Sequence, residues 1–303
     1  MPLKSAHIRV PASTSNLGAG FDCLGLALDR YLDVTFTPRP GGLRIERAGT
    51  LAQLDIPIAR DGIAQPFVAR LRSEGIEPSG TLSATSTIPI GRGLGSSAAA
   101  TVAGLALAAV VRRLDFNRDS EFLAAAEIEG HPDNAAPAIY GGLVAVAKED
   151  DHFRAFPLTL SDRIAFAWAA PAVEVATRAA RAALPAHVSL ATAVDSLSRV
   201  AALVRGLATG EPRLLRIGFA DSLHVPHRIP LIPRADEAMA AAREAGACAV
   251  TVSGSGSGLI AVCSPGRAGE VARAMGEAFG TVEEGVVAFA ARPDHSGARG
   301  LPV

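Results

Sequence analysis

Gly91-Arg92-Gly93-Leu94-Gly95-Ser96-Ser97-Ala98 is the stretch of this chain whose residue types imply chemistry most directly. Alternating glycines let the backbone turn through positive φ and leave bare N–H groups open to a ligand. The alanine-rich run that follows reads as a helix. Its first N–H groups are unpaired and carry the positive end of its dipole. A loop of this kind feeding such a helix is an anion site, and polyphosphate is the usual anion. Pro89 stiffens the entry, and Ser96 and Ser97 add hydroxyls that can cap the helix or ligate a metal. Gly93 to Ala98 also fits the dinucleotide fingerprint G-x-G-x-x-A. The loop by itself therefore admits ATP and NAD alike. A standard P-loop does not fit, because no Gly-Lys-Ser/Thr follows.

Two further clusters are candidates for chemistry. Pro11 to Asp22 packs hydrogen-bonding side chains between a strand and an apolar segment, so Asn16 and Asp22 can reach one small polar ligand from a single bend. A satisfied Asx or Ser turn is the bland alternative. In Glu127-Ile128-Glu129-Gly130-His131-Pro132-Asp133-Asn134, a carboxylate at a helix end can hold Mg²⁺ through oxygen. There His131 and Asn134 can contact a substrate hydroxyl. Acidic residues at a helix C-terminus oppose the dipole, which favours a functional reason over a solvated helix stop. Arg181 and Arg228 are of the type preferred for bidentate carboxylate binding, although arginines are more often surface charges.

Several elements must position these residues. His7–Val10, Leu32–Phe36 and Leu43–Glu46 alternate as strands, and Gly62–Leu71 reads as a helix. Thr81–Ile88 is a strand feeding the glycine loop. Ala98–Leu114 and Asp119–Glu129 are helices, and Gly142–Ala147 is a strand. Residues 148–157 read as a polar connection to a second unit. That unit holds a strand at Ile164–Trp168 and helices at Glu174–Ala183, Ala235–Ala245 and Gly266–Phe279. Leu190, Val194, Leu197, Ala201 and Val204 form one face of a long helix. Ala247–Val252 and Leu259–Val262 flank the turn Ser253–Gly258, and Val286–Ala290 is a last strand. The rhythm is not strictly βαβ, so two α+β domains, 1–155 and 156–303, fit better than one doubly wound sheet.

Composition narrows the function. The 303 residues are 49% hydrophobic and 19% charged with a net charge of −1, which provides for a large core and argues against nucleic-acid binding. One Trp and two Tyr leave little for base stacking. Three cysteines without ligand spacing argue against a disulfide framework or zinc site. The start has no apolar signal region, and the run Ala98–Val111 is too short to span a bilayer. A cytoplasmic protein that binds neither membrane nor nucleic acid is the expectation.

The Asn16–Asp22 segment, the Gly91–Ala98 loop and the Ser253–Gly258 turn, in this order, resemble the GHMP kinase superfamily. Ser13 to Asp22, the quartet His131-Pro132-Asp133-Asn134 and Asp221 to Arg228 resemble its homoserine kinase branch. The resemblance spans about residues 7 to 263. It implies an N-terminal domain like ribosomal protein S5 domain 2 and a C-terminal ferredoxin-like domain. It implies ATP-dependent phosphorylation of the L-homoserine hydroxyl to O-phospho-L-homoserine and ADP, a step of threonine biosynthesis, by a homodimer.

By the same resemblance Pro89, Ile90, Gly91, Arg92, Gly93, Leu94, Gly95, Ser96 and Ser97 would hold the ATP phosphates. Ser97 and Glu129 would position Mg²⁺, with Glu127 as the alternative carboxylate. Asn16, Asp22, Asn134, Arg181 and Arg228 would hold the substrate, Asp22 facing its ammonium and the arginines its carboxylate. Asn134 occupies the place where other members put a catalytic Asp, and an amide cannot take a proton. His131 is then an alternative base to direct attack without one. The rival readings are another small-molecule kinase of this fold acting on threonine, pantoate or an isoprenoid alcohol, an NAD-dependent oxidoreductase, and a regulator that has lost catalysis.

Overall fold

The computed structural model describes residues 3–281 and 284–302. Met1, Pro2 and Val303, at the ends of the two expected domains, and residues 282–283 lie outside the described residues. In chain order the first half holds β1 (Ala6–Asn16), β2 (Gly20–Pro38), β3 (Leu43–Gly49), α1 (Ala64–Arg72), β4 (Gly80–Ser86), α2 (Ser96–Val110), α3 (Arg118–Glu129), α4 (Pro132–Tyr140), β5 (Leu143–Glu149) and β6 (His152–Leu158). The second half holds β7 (Ala165–Ala170), α5 (Thr177–Ala182), α6 (Leu190–Thr209), α7 (Pro212–Phe219), α8 (Val225–Arg228), α9 (Ala235–Glu244), β8 (Ala249–Val252), β9 (Leu259–Cys263), α10 (Ala268–Phe279), β10 (Val287–Ala291) and β11 (Arg299–Leu301).

These elements build two sheets. The first runs β11-β1-β2-β4-β3, with β5 also on β2 and β6 on β5. Its pairs are antiparallel except for β3 with β4. The helices α1 to α4 form its packed layer. Ile8, Val10, Leu26, Val34 and Phe36 from the strands meet Phe67 of α1 and Val102 of α2 in one buried cluster. The second sheet runs β10-β7-β9-β8. Strand alternation sorts its residues into two cores: Phe166, Trp168 and Ala170 of β7 join the first cluster, and Ala167 and Ala169 join a second with α9 and α10. The first core is therefore continuous from the N-terminal sheet to Leu203 and Phe219 of α6 and α7.

Most expected elements are present, but some extend further and others went unread. The strand at His7–Val10 continues to Asn16, and the polar residues Ser13, Thr14, Ser15 and Asn16 are buried within it. They read as a loop because their polarity hides the period of two. Residues 148–157 are not a connection: β5 and β6 form a hairpin there, and β6 runs past 155 to Leu158. The stripe of α6 is exposed over its first half, with Leu190 81% and Leu197 71% accessible, and packs against the first core only at Val204. Among the described residues no helix is long and apolar enough to cross a membrane.

Candidate active site

The tip of the β1–β2 hairpin is the first platform. Asn16, Leu17 and Gly18 take φ of 74°, 50° and 81°. Left-handed backbone at a buried leucine is a costly conformation, and surrounding contacts must fix it. Asn16 supplies two of these contacts. Its Oδ1 accepts the Asp22 N–H at 3.0 Å, and its Nδ2 donates to the Gly254 carbonyl at 2.8 Å. The Asn16 amide thus ties the hairpin to the turn between β8 and β9.

The glycine loop is clamped between the same two segments. Ser253 Oγ donates to the Gly93 carbonyl at 2.7 Å, and the Gly258 N–H donates to the Arg92 carbonyl at 3.2 Å. The Ser13 N–H donates to the Leu94 carbonyl at 3.2 Å. Within a planar peptide the N–H opposes the C=O. The N–H groups of Gly93, Leu94 and Gly95 therefore point away from these partners, and the loop lines a cavity of about 410 Å³. Gly95 is the N-cap of α2 at φ 63°, and an added Cβ there would overlap Ser13 Oγ. Pro89 is buried upstream and does not line the cavity, whereas Ile90 through Ser97 do.

The second and third clusters meet at this cavity. Ser97 in the first turn of α2 donates to Glu129 Oε1 at 3.1 Å, and Thr101 Oγ1 donates to the same oxygen at 2.6 Å. Neither hydroxyl engages the other carboxylate oxygen. Glu127 is exposed and lies off the cavity, so the geometry separates the two carboxylates. His131 caps α4 and lines the cavity. Burial, and then the charge of Arg181, lower its pKa below the ordinary imidazole value. Asn134 is clasped: its Oδ1 accepts from Ser13 Oγ at 3.0 Å, and its Nδ2 donates to Ser15 Oγ at 2.9 Å.

The substrate-binding candidates all line the cavity, but two of them face each other. Arg181 donates to both oxygens of Asp22, at 2.8 and 3.1 Å. Arg228 is different. It is 2% exposed, and among the described residues it has no ion-pair partner. Burial lowers its pKa. Its Nη1 donates to the Gly254 carbonyl at 2.7 Å, and its buried Nε has no hydrogen-bond partner.

Sequence reasoning missed Asp133 as a site residue. It is 3% exposed and lines the cavity, and its carboxyl is pushed up to about 6, first by burial and then by the charge of Asp22. In the sequence it lies just past the end of a helix, and only the folded chain buries it and brings it beside Asp22. Thr101, one turn beyond Ser97 on α2, was legible from spacing alone. The topology excludes the dinucleotide alternative. β4, which feeds the loop, pairs with β2 and β3, and the next strand, β5, pairs with β2 and β6. No βαβ unit runs through the loop, as a Rossmann site requires.

Family models for the GHMP kinase N-terminal and C-terminal domains match residues 62–142 and 203–281. A homoserine kinase of Thermus thermophilus is 41% identical over 271 residues, covering 89% of this chain and 90% of that one. The chain belongs to the homoserine kinases of the GHMP kinase family. A second homoserine kinase, of Moorella thermoacetica, is 40% identical over 284 residues, covering 92% and 93% of the two chains. The crystal structure of homoserine kinase from Cytophaga hutchinsonii superposes with a TM-score of 0.86 at 29% identity, covering 98% of each chain. Membership in the homoserine kinase family accounts for the coincidence of glycine loop, quartet and arginine segment at a single cavity. The two-domain α+β fold is that of the GHMP kinases.

Proposed function

We infer that this chain transfers the γ-phosphoryl group of ATP to the side-chain hydroxyl of L-homoserine, giving O-phospho-L-homoserine and ADP. One observation carries the substrate class: Arg228, a buried guanidinium without a carboxylate, opens onto the cavity that holds the glycine loop. A buried unpaired charge is costly, and a ligand carboxylate relieves it. A neutral alcohol does not. The test is ADP release with L-homoserine, L-threonine, pantoate, mevalonate and the neutral alcohol 1,4-butanediol, on which no activity is expected. Homoserine is expected to give the highest kcat/KM, and preference for mevalonate would overturn the assignment.

The phosphates of ATP sit against the loop N–H groups and the start of α2, with the base toward the apolar wall of Leu51, Leu54 and Ile56. The oxygen donors of Ser97 and Glu129 suit Mg²⁺, which keeps several waters and needs only one or two protein oxygens. When bound, Mg²⁺ neutralises charge on the phosphates. Ser97→Ala and Glu129→Gln are expected to lower kcat more than tenfold with little change in homoserine KM. Added Mg²⁺ should partly restore Glu129→Gln, while Glu127→Gln should stay within twofold of wild type. A larger loss in Glu127→Gln would reassign the metal carboxylate.

The homoserine hydroxyl attacks the γ-phosphorus in line. The bond to the leaving ADP oxygen breaks, and the hydroxyl proton passes to a phosphate oxygen or water. A loose transition state asks for positioning more than for a strong base. Asn134, held by Ser13 and Ser15, orients the hydroxyl. His131 as base is the second reading, favoured by its place in the cavity wall and by the burial that lowers its pKa.

Asp22 and Arg181 receive the two ends of the amino acid. A zwitterion exchanges their single ion pair for two, Asp22 taking the ammonium and Arg181 sharing the carboxylate with Arg228. A charge-assisted hydrogen bond is worth about 1.5–3 kcal/mol, so Asp22→Asn should raise homoserine KM roughly ten- to a hundredfold. 4-Hydroxybutyrate, which lacks the amino group, should bind wild type and Asp22→Asn equally. Equal losses for both compounds would remove Asp22 from the amino end.

We further propose a domain boundary in the connection between β6 and β7, with β11 returned to the first domain, and a cytoplasmic location. We propose a homodimer as the assembly, supported by the exposed α6 stripe and readable by sedimentation velocity.

A further inference from the structure

We propose that His224 is a positioning residue for Arg228, fixing the guanidinium so that its Nε/Nη2 edge is presented to the substrate carboxylate. The inference rests on the reading of Arg228 as the carboxylate receptor and adds what aims it.

His224 is completely buried at the start of the single turn that carries Arg228. Its Nε2 lies 2.9 Å from the Gly18 carbonyl, an acceptor only, so Nε2 carries the proton. That leaves Nδ1 as an acceptor, 3.2 Å from Arg228 Nη1. The Gly254 carbonyl takes the other hydrogen of Nη1 at 2.7 Å. Two acceptors on one nitrogen fix both the plane and the rotation of a guanidinium. Neither touches Nε or Nη2, the edge that matches the two oxygens of a carboxylate. Nε is buried without a partner and completes its hydrogen bonding only when an acceptor arrives.

Surrounding groups hold the imidazole in this role. The Phe21 ring stacks on it at 4.9 Å between centroids, and Arg228 Cζ lies 5.2 Å from the same ring. Asp221 Oδ2 accepts the N–H groups of Leu223, His224 and Val225 at 3.1, 2.7 and 2.8 Å, which fixes the backbone of the turn. A protonated His224 would set an N–H against the Arg228 N–H and two cations side by side in the interior. Burial correspondingly lowers its pKa to about 4. Gly18 lies at the tip of the hairpin bearing Asn16 and Asp22, so His224 joins the two halves of the amino-acid site.

The test separates acceptor, packing and receptor. His224→Leu removes the acceptor, whereas His224→Asn keeps an oxygen near the Nδ1 position. The KM of homoserine should rise at least tenfold in His224→Leu and stay within about threefold in His224→Asn. In both, kcat and the KM of ATP should stay within about twofold of wild type. Preference for homoserine over homoserine amide should fall in His224→Leu. Equal weakening of acid and amide, or equal loss in both variants, would overturn the positioning role. Survival of that preference in Arg228→Ala would instead sink the underlying reading. Wild-type protein gives an independent readout. Its ¹⁵N-histidine spectrum, with the signal assigned by its absence in His224→Asn, should show an Nε2–H imidazole unchanged from pH 5.5 to 8. An Nδ1–H form or an imidazolium would overturn the proposal even if His224→Leu failed to fold.

Discussion

Gly95→Val should abolish measurable MgATP binding, a loss of at least a hundredfold, while leaving the secondary structure intact. Two independent costs add at this position. At φ 63° a β-branched residue is strained. An added Cβ would also overlap Ser13 Oγ and stand 3.0 Å from Asn134 Oδ1. The chain can relieve the overlap only by moving the start of α2 away from β1, and that displaces the loop N–H groups meant for phosphate. Gly95→Ala carries the same overlap with less strain and should lose less. Isothermal titration with MgATP reads the effect, and circular dichroism checks the fold. Unchanged ATP affinity in folded Gly95→Val would place the nucleotide elsewhere.

Arg228→Ala should erase the preference for a free carboxylate and lower kcat/KM for homoserine on the order of a hundredfold or more. Truncating one partner of a desolvated charge pair costs about 2–5 kcal/mol. Lys should not restore the activity, because a point charge cannot reproduce the fork and would leave the Gly254 carbonyl and His224 Nδ1 without two shared donors. Arg181→Ala is expected to be milder, since its guanidinium is about one-third exposed and already paired with Asp22. Steady-state rates with homoserine and homoserine amide decide the point. If wild type does not prefer the acid, the two arginines are not a carboxylate clamp.

Local patterns carried much of this site. The glycine loop, a helix start read at Ala98 and found at Ser96, and a carboxylate at Glu129 or Glu127 all announce themselves within a few residues. What escaped depends on contacts between segments remote in the chain. α4 was unread because Pro132 and Pro137 look like helix breakers. Pro132 occupies the tolerated first turn. Pro137 leaves the Asp133 carbonyl without its helical N–H, and that carbonyl packs against Gly25 of β2, where a Cβ would collide with it. Only the fold shows that Gly25 makes room for the helix. The pairing of Asp22 with Arg181 spans 159 residues and leaves no local trace. The same holds for His224, whose role depends on Gly18 and on a guanidinium one turn away. Ser13 to Asn16 read as a polar loop because burial from both sides, by the glycine loop and by the turn after β8, cancels the alternation of a strand.

The pairing of β11 with β1 bears on synthesis. His7 lies opposite Leu301, so β1 gains its outer neighbour only from residues translated nearly three hundred positions later. Until then β1 presents a row of unsatisfied amides and carbonyls, a template for pairing with another nascent chain. The N-terminal unit can close its β1–β2 ribbon and helical layer early, yet its edge stays open through the whole translation of the second unit. Ribosome-bound chains arrested between residues 256 and 298 should therefore be more prone to aggregate than the full chain, although they already contain every residue of the cavity.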